Sequence, residues 1–359
     1  MAGSAVKGTI AVALSGGVDS AVAAARLRAE GAELVGVTAR LLSGSEGARR
    51  GCCDEQRARE LCALLGIEHY IVDLTEEFAR QVVAAFVAGY ASGLTPNPCL
   101  PCNQLVKFGL LAERVAALGC DALATGHYVV RTEREGRWSL RRAADRTKDQ
   151  SYMLRGLSQE QIARARFPLG GSLKTEVAAE AARLRLPASA RESQDACFVP
   201  DDLAGFMAQR LPLEPGPILD RAGRNLGTLR GLPLYTVGQR RGLNVGGAPR
   251  LYVLARDRAR NALVVGEREA LALRWFAVRA ANWVSIAPPE PGKALDCLVM
   301  MRYRGAAIRA VVTVREGGRC EVELAPHDQA VAPGQGAAFY DDEGWLLGGG
   351  EIEAGKAAD

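Results

Sequence analysis

The chain has 359 residues, enough for two or three domains with separate cores, which excludes a minimal binding module. Hydrophobic residues at 48% and charged residues at 24% exclude a collagen, a coiled coil or a chain dominated by disorder. Forty-five Lys and Arg against 41 Asp and Glu leave a net charge of only +4, too little to argue for a polyanionic partner from the whole chain.

In chain order, an apolar run over Gly8 to Leu14 is too short for a secretory core and is broken by Ser15-Gly16-Gly17 and Asp19, so it reads as a buried strand. Further strands are expected at Glu33 to Thr38, His69 to Leu74 and Asp121 to Thr125. Helical patterns lie between them at Ser20 to Glu30, Glu55 to Leu65, Glu76 to Ala91 and Gln104 to Leu118. That alternation predicts a parallel α/β sheet covered on both faces, with ligands outside the carboxyl ends of its strands. The longest uncharged stretch, Gln81 to Val106, carries Pro96, Pro98 and Pro101, which a membrane-spanning helix would not choose; a cytoplasmic protein with no membrane partner is expected.

From about Gly216 the texture turns to Gly/Pro turns and short β-branched runs, Leu251 to Leu254, Ala262 to Val265, Ala307 to Val314 and Glu321 to Leu324, predicting two β-rich modules divided near Glu267 to Arg274. Residues 221–260 hold nine arginines and one acid, Asp257, a local +8 that leaves the rest of the chain at −4. This segment is expected to be a basic face, either a phosphate-binding surface or simply a solvated one.

Ser15-Gly16-Gly17-Val18-Asp19-Ser20 joins the first strand to the first helix, where helix N–H groups and the dipole favour an anion. The glycines let backbone approach phosphate oxygens, and Ser15 and Ser20 add hydroxyls. Asp19 is unsuited to bare phosphate; it either caps the helix or holds a magnesium ion. The plainer alternative for the whole loop is a helix-capping turn.

Nine cysteines, an odd number, do not form the framework of a small secreted scaffold. Cys99 and Cys102 lie in a proline-rich loop, Thr95 to Asn103, ahead of a helix expected from Gln104. A helix N-terminus favours thiolate, so Cys102 is the best-placed nucleophile and its pKa is expected to be lowered. Cys197, in Glu192-Ser193-Gln194-Asp195-Ala196-Cys197-Phe198-Val199, is a further candidate. Alternatives are a zinc site completed by Cys52 and Cys53, a redox pair, structural thiols, or an iron–sulfur cluster on Cys99, Cys102 and Cys197. Cys62, Cys120, Cys297 and Cys320 sit in apolar or strand-like contexts and read as structural. With His69, His127 and His327 the only histidines in the chain, a histidine-rich metal site is not expected.

The string SGGVDS after a first strand resembles the pyrophosphate loop of the ATP pyrophosphatase superfamily, in the adenine nucleotide alpha hydrolase-like class. Together with TPNPCLPCNQLVKF at 95–108, ATGHY at 124–128, KDQSYML at 148–154, FPLGGSLKTEV at 167–177, ESQDACFV at 192–199, YTVGQRRGL at 235–243 and PGQGAAFY at 333–340, it is similar to the bacterial tRNA-specific 2-thiouridylase family along the whole chain. The resemblance implies an ATP-binding catalytic α/β domain over 1–205, a central β-rich tRNA-binding domain over 206–272 and a C-terminal β-barrel over 273–359.

It implies that Ala13, Leu14, Ser15, Gly16, Gly17, Val18, Asp19, Ser20, Ala39 and Gly126 bind ATP, with magnesium. Cys102 becomes the nucleophile and Cys197 the persulfide carrier, the two joining in a transient disulfide. Asn97, Pro98 and Cys99 meet the target base, and His127, Lys148, Asp149, Gln150, Arg302, Tyr303 and Gln335 touch tRNA. The implied reaction adenylates the C2 oxygen of a wobble uridine (U34) and replaces it with sulfur, giving 2-thiouridine, AMP and pyrophosphate. The implied sulfur source is a persulfide donor such as a cysteine desulfurase or a sulfur-relay protein. The family often has an acid where Cys99 stands, and His where this chain has Leu229. Two other readings stay open: another pyrophosphatase-loop tRNA-modifying or amidating enzyme, and a non-catalytic metal-binding RNA-binding protein.

Overall fold

A computed structural model describes residues 8–42, 54–189, 196–199, 202–243, 245, 250–271 and 273–353. All four expected strands form, as β1 (Thr9–Ala13), β2 (Glu33–Arg40), β3 (Glu68–Asp73) and β4 (Ala122–Ala124), joined by a short β7 (Ala165–Arg166). They make a parallel sheet in the order β3-β2-β1-β4-β7. The chain builds outward from β1 to β3 and then crosses to β4 on the other side of β1. The crevice between the carboxyl ends of β1 and β4 is therefore the topological switch point where α/β sheets take ligands. β1 is apolar on both sides because helices cover both faces; Ile10, Ala11 and Val12 are buried.

An element absent from the strand pattern is the hairpin β5 (Val129–Arg134) and β6 (Arg137–Arg142), turned at Glu135 and Gly136, both at positive φ. Its many charges hid the alternation, and the arginines are used structurally. Arg131 lies 3.5 Å over the Trp138 ring and donates to the carbonyls of Ile162 and Ala163 at the end of helix Gln159–Arg164. Arg137 donates to the Trp283 and Val284 carbonyls of the C-terminal module, whose Trp345 stacks under Arg134. The hairpin is thus the platform on which that module docks.

The two β-rich modules are both present. The first is a four-stranded sheet in the order β10 (Tyr252–Asp257), β11 (Ala262–Gly266), β8 (Gly216–Leu219), β9 (Asn225–Leu229). The second is a closed six-stranded barrel of β12 (Trp275–Trp283), β15 (Arg319–Leu324), β14 (Ile308–Arg315), β13 (Ala294–Met300), β16 (Gly336–Tyr340) and β17 (Leu346–Ile352). Inward side chains alternate along β14, where Ile308, Ala310, Val312 and Val314 are buried with Phe276, Val299, Val322 and Phe339. Among the described residues no helix is long and apolar enough to cross a membrane.

Candidate active site

The loop after β1 is held open toward the switch point. Leu14 N–H donates to the Val37 carbonyl (2.8 Å), and Thr38 Oγ1 returns a bond to the Leu14 carbonyl (3.0 Å). The Ser15 and Gly16 carbonyls accept from the N–H groups of Asp54 (3.0 Å) and Ser189 (2.8 Å). Gly16 has φ +77°, and a Cβ there would come within 2.6 Å of Asp54, so glycine is required on both counts. Helix α1 (Val18–Ala29) begins at an N-cap glycine, Gly17, with no side-chain cap, leaving its first-turn N–H groups to face an anion. The Ser15 and Ser20 hydroxyls lie 3.3 Å apart beside them.

Asp19 does not cap this helix. Its Oδ1 accepts from Lys174 Nζ (2.6 Å) and from the Tyr128 hydroxyl (2.7 Å). Burial, with Asp19 beside it, holds the Tyr128 hydroxyl well above its ordinary pKa, so it stays protonated and donates. A Cβ at Gly126 would meet the backbone of Asp19 and Ser20 at 2.8 Å, which brings the segment after β4 against the loop. Ala39 lies at the carboxyl end of β2. Nine of the ten expected ATP positions, Ala13 to Ser20 and Gly126, therefore meet at the mouth between β1 and β4, and Ala39 lies on the neighbouring strand β2.

The thiol loop is braced by all three parts of the chain. Thr95 N–H donates to the Pro333 carbonyl (2.8 Å), and Gln335 Nε2 donates to the Thr95 carbonyl (2.7 Å). From β10, Arg256 donates to the Gly93 carbonyl and, at 3.1 Å, to Thr95 Oγ1. Asn97 Oδ1 accepts the Cys99 N–H (3.0 Å), closing an Asx turn, and Asn103 Nδ2 ties back to the Cys99 carbonyl (2.9 Å).

Here the helix starts at Cys99, before the expected Gln104, and continues to Ala117. Cys102 therefore sits inside the helix, with its side chain buried among apolar neighbours. Burial pushes its thiol up to about 12, with Lys107 opposing that shift. The expected lowering of its pKa is thus reversed: desolvation of the thiolate outweighs the helix dipole. Cys197 and Cys99 both lie close enough to Cys102 to oppose its ionisation. Cys197 is placed by its neighbour Phe198, which is 2% exposed and meets Phe78, Phe86 and Phe206 at centroid distances of 5.7, 5.2 and 5.6 Å. Among the described residues Cys102 is a free thiol, as are the buried Cys62, Cys120, Cys297 and Cys320.

No three His, Cys, Asp or Glu side chains converge as a metal site among the described residues, Cys99, Cys102 and Cys197 included. The three thiols thus do not fit an iron–sulfur cluster. The alternative zinc pair Cys52 and Cys53 lies outside the described residues.

The remaining expected contacts separate into two kinds. Lys148 and Asp149 influence the Tyr303 hydroxyl, and Tyr303 sits 6.3 Å from the Tyr152 ring, so the 148–152 turn and barrel residues Arg302 and Tyr303 share one face. Asn97 Nδ2 reaches Met153 Sδ at 3.8 Å, joining that face to the thiol loop where Pro98 lies. Asp149, Gln150 and His127 are instead committed inside the fold. The Asp149 carboxylate accepts from Arg142, the Ala143 and Ser151 N–H groups and the Ser151 hydroxyl. Gln150 Oε1 accepts the Tyr128 N–H. His127 is buried between Phe108 and Phe167 with Nδ1 2.8 Å from Thr125 Oγ1, and burial holds it neutral, well below its ordinary pKa.

Lys174, Tyr128 and Arg256 carry structural weight that sequence reasoning did not assign. Lys174 and Tyr128 fall in the FPLGGSLKTEV and ATGHY strings, and Arg256 is one of the nine arginines between 221 and 260. The basic segment is also less uniform than expected: Arg256 and Arg258 turn to the carbonyls of Gly93 and Ser92, Arg224 pairs with Asp220, and Arg260 with Asp257. Arg221, Arg230, Arg240, Arg241 and Arg250 are exposed.

The fold and this loop define a three-module protein on a HUP-type α/β nucleotide-binding domain. Residues 8–201 match the family model described as a tRNA methyl transferase HUP domain, 204–267 the tRNA methyl transferase PRC-barrel domain and 274–352 the aminomethyltransferase β-barrel domain. The chain is 48% identical over 354 residues to the tRNA-specific 2-thiouridylase MnmA of Chloroflexus aggregans, covering 96% of this chain and 98% of that one. It is 47% identical over 360 residues to the protein of that name from Chloroflexus aurantiacus, covering 97% and 99%. The chain belongs to the tRNA-specific 2-thiouridylase family, and it is an enzyme. Among solved structures, the U34-tRNA thiolase NcsA from Methanococcus maripaludis with its 4Fe-4S cluster overlaps at a TM-score of 0.37 and 20% identity, over 56% of this chain and 63% of that one.

Proposed function

We propose that this chain is an ATP-dependent tRNA uridine 2-sulfurtransferase acting on the wobble uridine, with 1–205 as catalytic domain, 206–272 as central tRNA-binding module and 273–359 as C-terminal barrel. The observation that carries the reading is the pairing of two thiols, Cys102 and Cys197, in a domain whose first strand ends in an uncapped helix N-terminus.

The C2 oxygen of a uridine is a poor leaving group. Attack by that oxygen on the α-phosphorus of ATP expels pyrophosphate and leaves AMP as the group to be displaced. The loop Ala13 to Ser20 cradles the phosphates through the first-turn N–H groups and the Ser15 and Ser20 hydroxyls, with Ala39 and Gly126 lining the nucleoside. Asp19 would hold magnesium, which neutralises phosphate charge; Lys174 then leaves the carboxylate for the phosphates.

Sulfur arrives as a persulfide on Cys197 from a cysteine desulfurase or relay protein. Its terminal sulfur attacks C2 and AMP departs, after which the Cys102 thiolate attacks Cys197 Sγ and frees the 2-thiouridine. Alternatively Cys102 attacks first and releases the hydrosulfide that attacks C2. Both routes end in a Cys102–Cys197 disulfide, which a two-electron thiol reductant must reopen before the next turnover.

The base reaches Asn97, Pro98 and Cys99 by leaving a single-stranded anticodon loop, where unstacking costs least. Lys148, Arg302 and Tyr303 contact the tRNA directly. Asp149, Gln150, His127 and Gln335 act by shaping the surfaces around it. The test is pyrophosphate release from ATP, which should require tRNA and survive Cys197→Ser. Release without tRNA, or its loss with Cys197→Ser, contradicts an adenylation that precedes sulfur transfer.

A further inference from the structure

Cys102 is asked to act as a nucleophile from a position where burial disfavours its charged form. The helix that carries it is π-helical from Cys102 to Leu111, so hydrogen bonds run from i to i+5 and the side chain five residues on is brought over Cys102. That residue is Lys107, half-buried beside the fully buried His127 and Cys102. An α-helical register would rotate residue 107 away from residue 102 by about 140°, because each residue turns the helix by roughly 100°.

Resting on the reading of Cys102 as nucleophile, we propose that Lys107 is a positioning residue, held over Cys102 by the π-helical register, whose ammonium makes the buried thiolate accessible. Three ionisable groups act on the Cys102 thiol: Lys107 from its own helix, Cys99 from the preceding turn and Cys197 from the segment 196–199. The two thiols oppose ionisation and Lys107 favours it. Lys107 also acts on the buried His127, where the same positive charge adds to burial in keeping the imidazole neutral. A neutral His127 adds no second cation near the Cys102 sulfur.

The test is the pH dependence of Cys102 alkylation by iodoacetamide in the full-length protein, followed peptide by peptide with mass spectrometry. No ATP, tRNA or sulfur donor is needed, so the result is independent of whether the protein thiolates tRNA. Lys107→Met should move the Cys102 profile to higher pH by about one unit, roughly a tenfold loss of alkylation rate at a fixed pH below the pKa. Lys107→Arg should restore the wild-type profile, while Cys62 and Cys320, buried elsewhere, alkylate as in wild type. A Lys107→Met profile that superimposes on wild type overturns the inference. So does a general rise in reactivity of Cys62, Cys102 and Cys320 together, which would show that Lys107 only supports the fold.

Discussion

Replacing Phe198 with Ala separates the position of Cys197 from its chemistry. Phe198 is 2% exposed, packed edge-to-face with Phe78 and Phe86 and at a tilt against Phe206. Truncating a buried Phe costs about 3–5 kcal/mol, the aromatic edges contributing part of it. Taking the lower figure, the docked arrangement of residues 196–199 should fall on the order of 100-fold relative to the undocked one. The readout is the effective concentration of the Cys102–Cys197 thiol pair, measured as the equilibrium between dithiol and disulfide in glutathione buffers. Phe198→Ala should lower it by the same factor, and Phe198→Leu by about tenfold, since it keeps much of the buried area. Equal effective concentrations in all three proteins would refute the claim that the aromatic socket places Cys197.

Lys174→Met and Asp19→Asn should each weaken ATP binding about tenfold or more by titration calorimetry, because each removes a charge at the loop mouth; unchanged affinity in both would detach the pair from the nucleotide. Arg256→Met should lower stability by about 2 kcal/mol and raise amide exchange at 93–95, since it removes a half-buried guanidinium, its pKa lowered by burial to about 10, that donates to three acceptors. Exchange confined to β10 would contradict its role as a brace. His127 is held well below its usual 6.5, so the unfolded chain takes up a proton that the folded one refuses. Its contribution is complete above pH 6.5 and is lost as pH falls through the lowered folded value. The urea midpoint should drop between pH 7 and 5 in wild type and less steeply in His127→Gln; parallel slopes would show that another group controls the acid limb.

The catalytic sheet was legible because its strands are apolar runs separated by amphipathic helices, a pattern local enough to read directly. The loop after β1 was legible because paired glycines between strand and helix have few other uses. What escaped was long-range. The hairpin Val129–Arg142 looks like a charged loop until Arg131 and Arg137 are seen donating to carbonyls of other elements. The basic segment read as a surface because composition cannot show that Arg256 turns inward to the thiol loop. The ionisation of Cys102 was read from its place near a helix start. Its true environment depends on side chains distant in sequence that bury it, and on a helix that begins earlier than its prolines suggest.

The central claim is that Cys102 and Cys197 act together on an adenylated uridine. Nucleosides from tRNA incubated with the enzyme, ATP, magnesium, a persulfide donor and a thiol reductant should contain 2-thiouridine by mass spectrometry. Cys102→Ser and Cys197→Ser should each abolish it, while Cys62→Ser, a buried thiol outside the site, should leave it intact. Full 2-thiouridine from either Cys102→Ser or Cys197→Ser would contradict the account.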